Sequence, residues 1–186
     1  MMFRNAVELS HFYAAQAAGT GSVCIDATAG NGNDTAFLAG LVGPEGKVYA
    51  FDVQQKAIAS TKKRLEDRGL RERVRLIHDS HARMGLYVRE PVDAILFNLG
   101  RLPGSDRTVY TKSCATIAAI EAGLGLLRRD GLLCIAAYWG DPICNEEYRE
   151  VYDYLKGIPP RQAEVLFHEY INEPHCPPTF FAVHKV

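Results

Sequence analysis

Val23-Cys24-Ile25-Asp26-Ala27-Thr28-Ala29-Gly30-Asn31-Gly32-Asn33-Asp34-Thr35 is the stretch whose reading decides the fold. An apolar run ends in an acid, two glycines follow two positions apart, and a polar cluster comes next. That order predicts a buried parallel strand ending at Asp26 and a sharp turn at Gly30 and Gly32. It also predicts a helix starting around Asn33 and Asp34, whose side chains can cap it. In open α/β sheets, ligands lie against such turns, outside the carboxyl ends of the strands.

Outward from the turn, strand and helix patterns alternate. Residues 5–18 read as an amphipathic helix with Val7, Leu9, Phe12 and Tyr13 at helical spacing, covering one face or edge of a sheet. Strands are expected at 22–26, 47–52, 74–78, 92–97 and 132–138, the fourth running into Asn98-Leu99-Gly100. Helices are expected from Asn33 through Leu41, at 54–69, at 111–128 and at 144–156. The second of these places Ile58 and Leu65 inward and Lys62, Lys63 and Arg64 outward. Arg129-Asp130-Gly131 reads as a turn, and strands at 163–171 and 179–184 close the chain. The expected fold is α/β, a Rossmann-like doubly wound sheet of seven strands, mostly parallel with an antiparallel C-terminal strand. It resembles the layout of class I S-adenosylmethionine-dependent methyltransferases.

With 186 residues, 47% apolar and 23% charged, the chain reads as one domain over 1–186, residues 1–20 forming a helix packed on it. No apolar run approaches the roughly 20 residues of a membrane span, and the start lacks a secretory leader, so the cytoplasm is expected. Five cysteines, an odd number with no CxxC pair, argue against a disulfide framework. Cys24, Cys114 and Cys134 read as core fillers, and His175-Cys176 has no second ligand pair, so no metal is expected. A net charge of −1 argues against a broad duplex-binding surface and leaves a short structured RNA, a nucleotide or a small molecule. Lys62-Lys63-Arg64 and the Arg68, Arg71, Arg73 and Arg75 group read as a solvated helix and turn. A homodimer stays open.

Candidate chemistry collects at the strand ends: Asp26 to Asp34, Asp52, Asp79-Ser80-His81, Asn98 and Tyr138. Asp52 lies 20 residues beyond Gly32, the spacing of an acid that holds ribose hydroxyls. Gln54 can cap the following helix or reach the nucleoside. A dinucleotide turn carries a third glycine and cradles a pyrophosphate, but here Thr35 takes that position and Asp34 would repel the anion. Asp34, with Asp26 as a second carboxylate able to organise a methionine amino group, suits S-adenosyl-L-methionine better than NAD. Asp79-Ser80-His81 reads either as a capped loop or as an adenine contact, and His81 can instead face the substrate. The Asn98 carbonyl can accept from an attacking amine and aim its lone pair, because in-line methyl transfer depends chiefly on positioning. His81, Asp106 and Tyr138 are the candidates to relay a proton.

At these residues the chain resembles the bacterial tRNA (mnm5s2U) methyltransferase family, also grouped as rRNA methylases. The blocks that carry the resemblance are Asp26 to Thr35, Phe51-Asp52-Val53-Gln54, Asp79-Ser80-His81, Phe97-Asn98-Leu99-Gly100 with Leu102-Pro103-Gly104, Thr116-Ile117, Tyr138-x-Gly140, and Pro177-Pro178 near Asn172. The resemblance implies N-methylation of the aminomethyl group of a wobble uridine and recognition of a tRNA anticodon stem-loop. It implies that Asn31, Asn33, Asp52, Gln54, Ser80 and His81 line the cofactor site and Asn98 the methyl-transfer site. With the turn, the expected cofactor set is Asp26, Thr28, Gly30, Asn31, Gly32, Asn33, Asp34, Thr35, Asp52, Gln54, Ser80, His81 and Asn98. Asn98, His81 and Asp106 are the expected catalytic residues, and Arg101, Arg107 and Tyr138 the acceptor contacts. Arg101 stands where the family has Tyr, Ser105 where it has Gly, Arg107 where it has Lys, and Asp141 where it has His. These departures surround the acceptor side, so methylation of rRNA or of a small-molecule amine is the alternative. An NAD-dependent dehydrogenase and a non-catalytic RNA-binding protein are the alternatives of other classes.

Overall fold

Short apolar runs buried on both faces build the centre of the sheet. β1 (Val23–Asp26), β2 (Lys47–Asp52), β3 (Val74–His78), β4 (Val92–Leu99) and β5 (Leu127–Ala137) pair in parallel. β7 (Thr179–Lys185) runs antiparallel to β5 and to the edge strand β6 (Ala163–His168), giving the order β3-β2-β1-β4-β5-β7-β6. The computed structural model describes residues 5–100, 113–138, 142–173 and 178–186. Arg101, Ser105, Asp106, Arg107, Asp141, the Leu102-Pro103-Gly104 block, Gly140, His175, Cys176 and Pro177 lie outside the described residues.

Alternate strand residues feed two cores. Ile25, Phe51, Ile95 and Phe97 face one way, with Met84, Ile120, Leu124, Val151 and Leu155 packed over them. Cys24, Val48, Ala50, Ala94 and Leu96 face the other, under Ala14, Leu38, Ala39 and Leu65. Thus α1 (Ala6–Ala17), α2 (Asn33–Val42) and α3 (Gln55–Asp67) cover one face. α4 (Met84–Tyr87), α5 (Ser113–Leu126) and α6 (Pro142–Lys156) cover the other. Burial on both faces is why the strands read as continuous apolar runs, and each enclosed Leu, Ile or Phe contributes about 1.5–3 kcal/mol.

α1 begins in a capping box in which Asn5 Oδ1 accepts from the Glu8 amide at 2.9 Å and Glu8 returns a carboxylate oxygen to the Asn5 amide at 3.0 Å. Its buried stripe is Ala6, Ser10 and Ala14, not the large apolar residues, and Phe12 is exposed. The helix lies close against the sheet, where only small side chains fit, while Tyr13 stacks on Phe180 at its flank. Arg128 anchors the helix end by donating to the Ala17 carbonyl at 2.9 Å and pairing with Asp93.

Two other expectations are corrected. The turn at Arg129-Asp130-Gly131 is an irregularity inside β5: Val92 pairs with Leu127 and Ala94 with Leu132, and Asp130 takes φ 62° to absorb the extra residues. Cys114 is exposed rather than core. Cys24 and Cys134 are buried as expected, and burial pushes both thiols up to about 12, which leaves them inert. None of the helices among the described residues is long and apolar enough to cross a membrane.

Candidate active site

The turn after β1 is shaped by two left-handed glycines, Gly30 at φ 54° and Gly32 at φ 78°. Gly32 itself occupies the N-cap of α2 and supplies no side-chain cap, so Asn33 and Asp34 enter the helix with their side chains free for other work. A Cβ on Gly32 would sit 2.9 Å from Thr61 Cα, so α3 presses directly on the turn. From α3, Thr61 Oγ1 donates to Gly30 O at 3.2 Å and Arg64 Nε to Asn31 O at 2.6 Å. Ser60 Oγ lies 3.4 Å from Asn31 Oδ1. Arg64 therefore turns inward to hold the loop, contrary to its expected solvated position.

Asp52 closes the turn from the end of β2. Its Oδ2 accepts from the Gly30 amide at 2.9 Å and its Oδ1 from the Gln54 amide at 2.8 Å. A carboxylate has about four lone-pair sites, so acceptor capacity remains for two hydroxyls. Gln54 precedes α3 without making a side-chain capping bond, which removes the capping reading and leaves the amide available.

Three carboxylates thus surround one turn, each in a different state. Asp26 is fully buried, its oxygens taken by the Thr28 amide at 3.0 Å and the buried Thr35 hydroxyl at 2.5 Å. Burial, then the nearby Asp34 charge, pushes its carboxyl up to about 7. Enclosed in this way, Asp26 and Thr35 hold the turn. Asp34 is buried too, but its Oδ1 accepts from His11 Nε2 at 2.7 Å and its Oδ2 faces Asn98 Nδ2 at 3.4 Å.

Asn98 lies near the end of β4, half-buried, with its backbone amide donating to Thr28 Oγ1 at 2.8 Å. Beside it, Tyr138 follows β5 with its ring against Gly100, where an added Cβ would meet Cδ2 at 2.9 Å. Burial and the Asp34 charge raise its phenol. Asp34, Asn98 and Tyr138 therefore meet in one place.

His81 opens the short turn after β3 and is buried against Phe97. Its Nδ1 lies 3.0 Å from the Ala27 carbonyl, which only accepts, so Nδ1 carries the hydrogen and Nε2 a lone pair. Among the described residues, that Nε2 is buried without a hydrogen-bond partner, and burial lowers the imidazole so that it stays neutral. Ser80 caps the same turn through its hydroxyl and the Ala82 amide at 3.3 Å. Asp79 is held by Tyr87 Oη at 2.6 Å and its own neighbour's amide at 2.8 Å, which keep its carboxyl below the usual range. Asn31 is half-buried on the loop and Asn33 exposed.

The basic groups are mostly structural. Arg71 and Arg73 donate to the Val74 and Ala39 carbonyls at 2.6 and 3.0 Å, and Arg75 lies 5.9 Å from the rings of both Tyr49 and Tyr87. Lys63 and Asp67 pair one helical turn apart at 2.7 Å. Among the described residues, no group of three His, Cys, Asp or Glu side chains is placed to hold a metal ion.

Sequence reasoning missed His11, Ser60, Thr61 and Arg64. His11 carried a faint signal, a polar residue inside the first helix, but its partner is 23 positions away and no local pattern joins them. The donor set fits S-adenosylmethionine: Asp34 suits its ammonium, Asp52 its ribose, and the unpartnered His81 Nε2 shows a buried acceptor awaiting a donor. A pyrophosphate does not fit, because the Gly30 amide that would cradle it already serves Asp52.

Comparisons with known proteins agree. Residues 48–184 match the family described as "Putative rRNA methylase". The tRNA (mnm(5)s(2)U34)-methyltransferase, chloroplastic, of Arabidopsis thaliana is 35% identical over 96% of this chain and 69% of its own length. A "putative rRNA-methylase" structure from Clostridium thermocellum superposes with a TM-score of 0.98 at 40% identity, covering 100% of both chains. A "putative methyltransferase" from Streptococcus mutans, solved in complex with SAH (S-adenosylhomocysteine), gives 0.92 at 37% identity, again covering 100% of both. The chain belongs to this rRNA methylase family and has its class I, S-adenosylmethionine-dependent methyltransferase fold.

Proposed function

We propose that this protein, acting as a single methyltransferase domain, transfers a methyl group to the exocyclic amine of a 5-aminomethyl-uridine at the wobble position of tRNA. The observation that carries the reading is the state of Asn98. Its amide nitrogen faces a carboxylate, so its carbonyl oxygen is the arm left for an incoming amine N–H. The Arabidopsis relative, which acts on such a nucleoside by its name, supports the acceptor. S-adenosylmethionine supplies, when bound, a methyl group on a sulfonium that needs no further activation.

The chain's own residues then have limited tasks. Gly30, Asn31 and Gly32 shape the floor, Asp34 and Asp52 receive the ammonium and the ribose hydroxyls, and Asn33, Gln54 and Ser80 border the nucleoside. Thr28 fixes the Asn98 backbone, and Asn98 accepts from the amine and turns its lone pair toward the methyl carbon. His81, neutral with a free lone pair, can hold a donated proton from the ligand side, and Tyr138 walls the acceptor side beside Asp34. Arg101 and Arg107 are assigned to the anticodon stem-loop, where guanidinium groups contact phosphate or stack on bases, and Asp106 to the proton relay.

Purified enzyme with S-adenosylmethionine and an anticodon stem-loop bearing aminomethyl-uridine should yield the methylaminomethyl nucleoside by mass spectrometry. Asn98→Ala should lower the yield by about a hundredfold. An unmodified stem-loop with the parental enzyme overturns the tRNA assignment, and methylation of a free amine in its place identifies a small-molecule enzyme.

A further inference from the structure

We infer that His11, in the first helix, is a positioning residue for methyl transfer: through Asp34 it fixes which arm of the Asn98 amide faces the acceptor. The inference rests on the acceptor reading above and deepens it. Three contacts carry it. His11 Nε2 lies 2.7 Å from Asp34 Oδ1, and Asn98 Nδ2 lies 3.4 Å from Asp34 Oδ2, so one carboxylate joins the helix to the strand end. The His11 ring lies flat on Phe37, with centroids 3.8 Å apart and planes 6° apart, which fixes the direction of its N–H.

The chemistry of the three groups sets the polarity of the chain. An ionised carboxylate only accepts, so His11 must present Nε2–H and Asn98 must present its NH2. The Asn98 backbone is pinned independently by Thr28 Oγ1 at 2.8 Å, and rotation of the side-chain amide then decides which arm faces the acceptor. Rotation by half a turn would place the carbonyl against the Asp34 carboxylate, acceptor against acceptor, and the NH2 against the acceptor amine, where it would donate to the lone pair needed for attack. His11 opposes that rotation by holding Asp34 with one oxygen committed and the other turned to Asn98. Phe37 and Asp34 both belong to α2, which explains why α1 is seated here with a histidine on its α2-facing flank.

Two substitutions separate the hydrogen bond from the packing. His11→Phe keeps a flat ring on Phe37 and removes the N–H, whereas His11→Gln restores an N–H donor at similar reach. The first readout needs neither cofactor nor RNA: the Asn98 side-chain amide signals in a 15N-correlated NMR spectrum, identified by their loss in Asn98→Ala. His11→Phe should shift these signals and speed their exchange with solvent, and His11→Gln should return them toward parental values. Unmoved signals in His11→Phe overturn the inference. In methyl-transfer assays His11→Phe should lower kcat roughly tenfold or more, because misplacement of a reacting group costs on that scale. The SAH dissociation constant should stay within about threefold, since Asp34 keeps its charge, and His11→Gln should recover most of kcat. Equal loss in both variants, or loss expressed wholly in SAH affinity, overturns it as well. A parental enzyme inactive on the stem-loop refutes the acceptor assignment instead, and the Asn98 signals still decide the role of His11.

Discussion

Replacing Asp26 by Asn tests the carboxylate at the root of the turn. Burial, followed by the Asp34 charge, lifts its carboxyl from 3.8 to about 7, against the opposing bonds from Thr35 and Thr28. The folded protein therefore keeps a proton that the unfolded chain releases near pH 4. Between about pH 4 and 7 the folded state binds more protons, so the contribution of Asp26 to stability is complete below that window and is lost as pH rises through it. At about 1.4 kcal/mol per tenfold change in proton affinity, the cost of ionised Asp26 approaches about 4 kcal/mol at pH 8. Asn keeps an acceptor for the Thr28 amide and offers N–H to Thr35 Oγ1, so it mimics the protonated acid at every pH. Urea unfolding of the two proteins should coincide near pH 4 and diverge above it, with Asp26→Asn more stable by about 2–4 kcal/mol at pH 8. Glu90, held at about 2 by Lys47 and Tyr49, gives the opposite slope, but it is common to both proteins and cancels in the difference. A variant less stable than the parent at pH 8, or a difference that does not grow from pH 4 to 8, refutes the reasoning.

Gly32→Ala should cost about 1–3 kcal/mol, from left-handed strain and the approach to Thr61, and should weaken SAH binding measured by calorimetry; Gly40→Ala in the same helix, with no atom within 4 Å of its Cβ, should instead stabilise by about 0.5–1 kcal/mol. Arg64→Met keeps the stem but removes the donor to Asn31 O, and should raise the SAH dissociation constant by about tenfold. Glu90→Gln loses charge on a group accepting from Lys47 Nζ and Tyr49 Oη at 2.7 Å each, and should cost about 1 kcal/mol at pH 7 after solvent screening. That gap should close as pH falls from 4.5 through about 2, where parental Glu90 takes up its proton.

The strands and the glycine turn were legible because each is a local pattern: β2 and β3 run over Lys47–Asp52 and Val74–His78, as their short apolar runs indicate. The position of Asp52 relative to Gly32 was equally readable, since spacing along the chain carries it. The seat of α1 was not. Helical spacing of Val7, Leu9, Phe12 and Tyr13 suggested a large apolar face, but close packing against the sheet selected Ala6, Ser10 and Ala14. The same limit hid Arg64, which looked like one more cation on an exposed face until α3 was laid beside the turn. The bonds from the Thr28 amide and the Thr35 hydroxyl to Asp26 were equally hidden, because no spacing rule in the sequence shows that a side chain is enclosed by its own turn.

The choice between a dinucleotide and a sulfonium nucleoside comes down to where the amides and acids of the turn are spent. A pyrophosphate cradle needs free N–H groups at the glycines and no negative charge at the head of the helix. Here the Gly30 amide is given to Asp52, and the Gly32 amide to the Ala29 carbonyl at 2.7 Å. The first turn of α2 meanwhile carries Asp34. The turn has thus been converted from an anion site into a carboxylate-lined one. The Asp34 charge adds to the cost of ionising buried Asp26, and a bound ammonium relieves that cost by stabilising the charged carboxylate. Binding of SAH at pH 7 should therefore release protons. The calorimetric enthalpy should then depend on the ionisation enthalpy of the buffer, and Asp26→Asn should largely abolish the dependence. Buffer-independent enthalpies for the parent protein would place the ammonium away from this pair and return Asp34 to a purely structural role with His11 and Asn98.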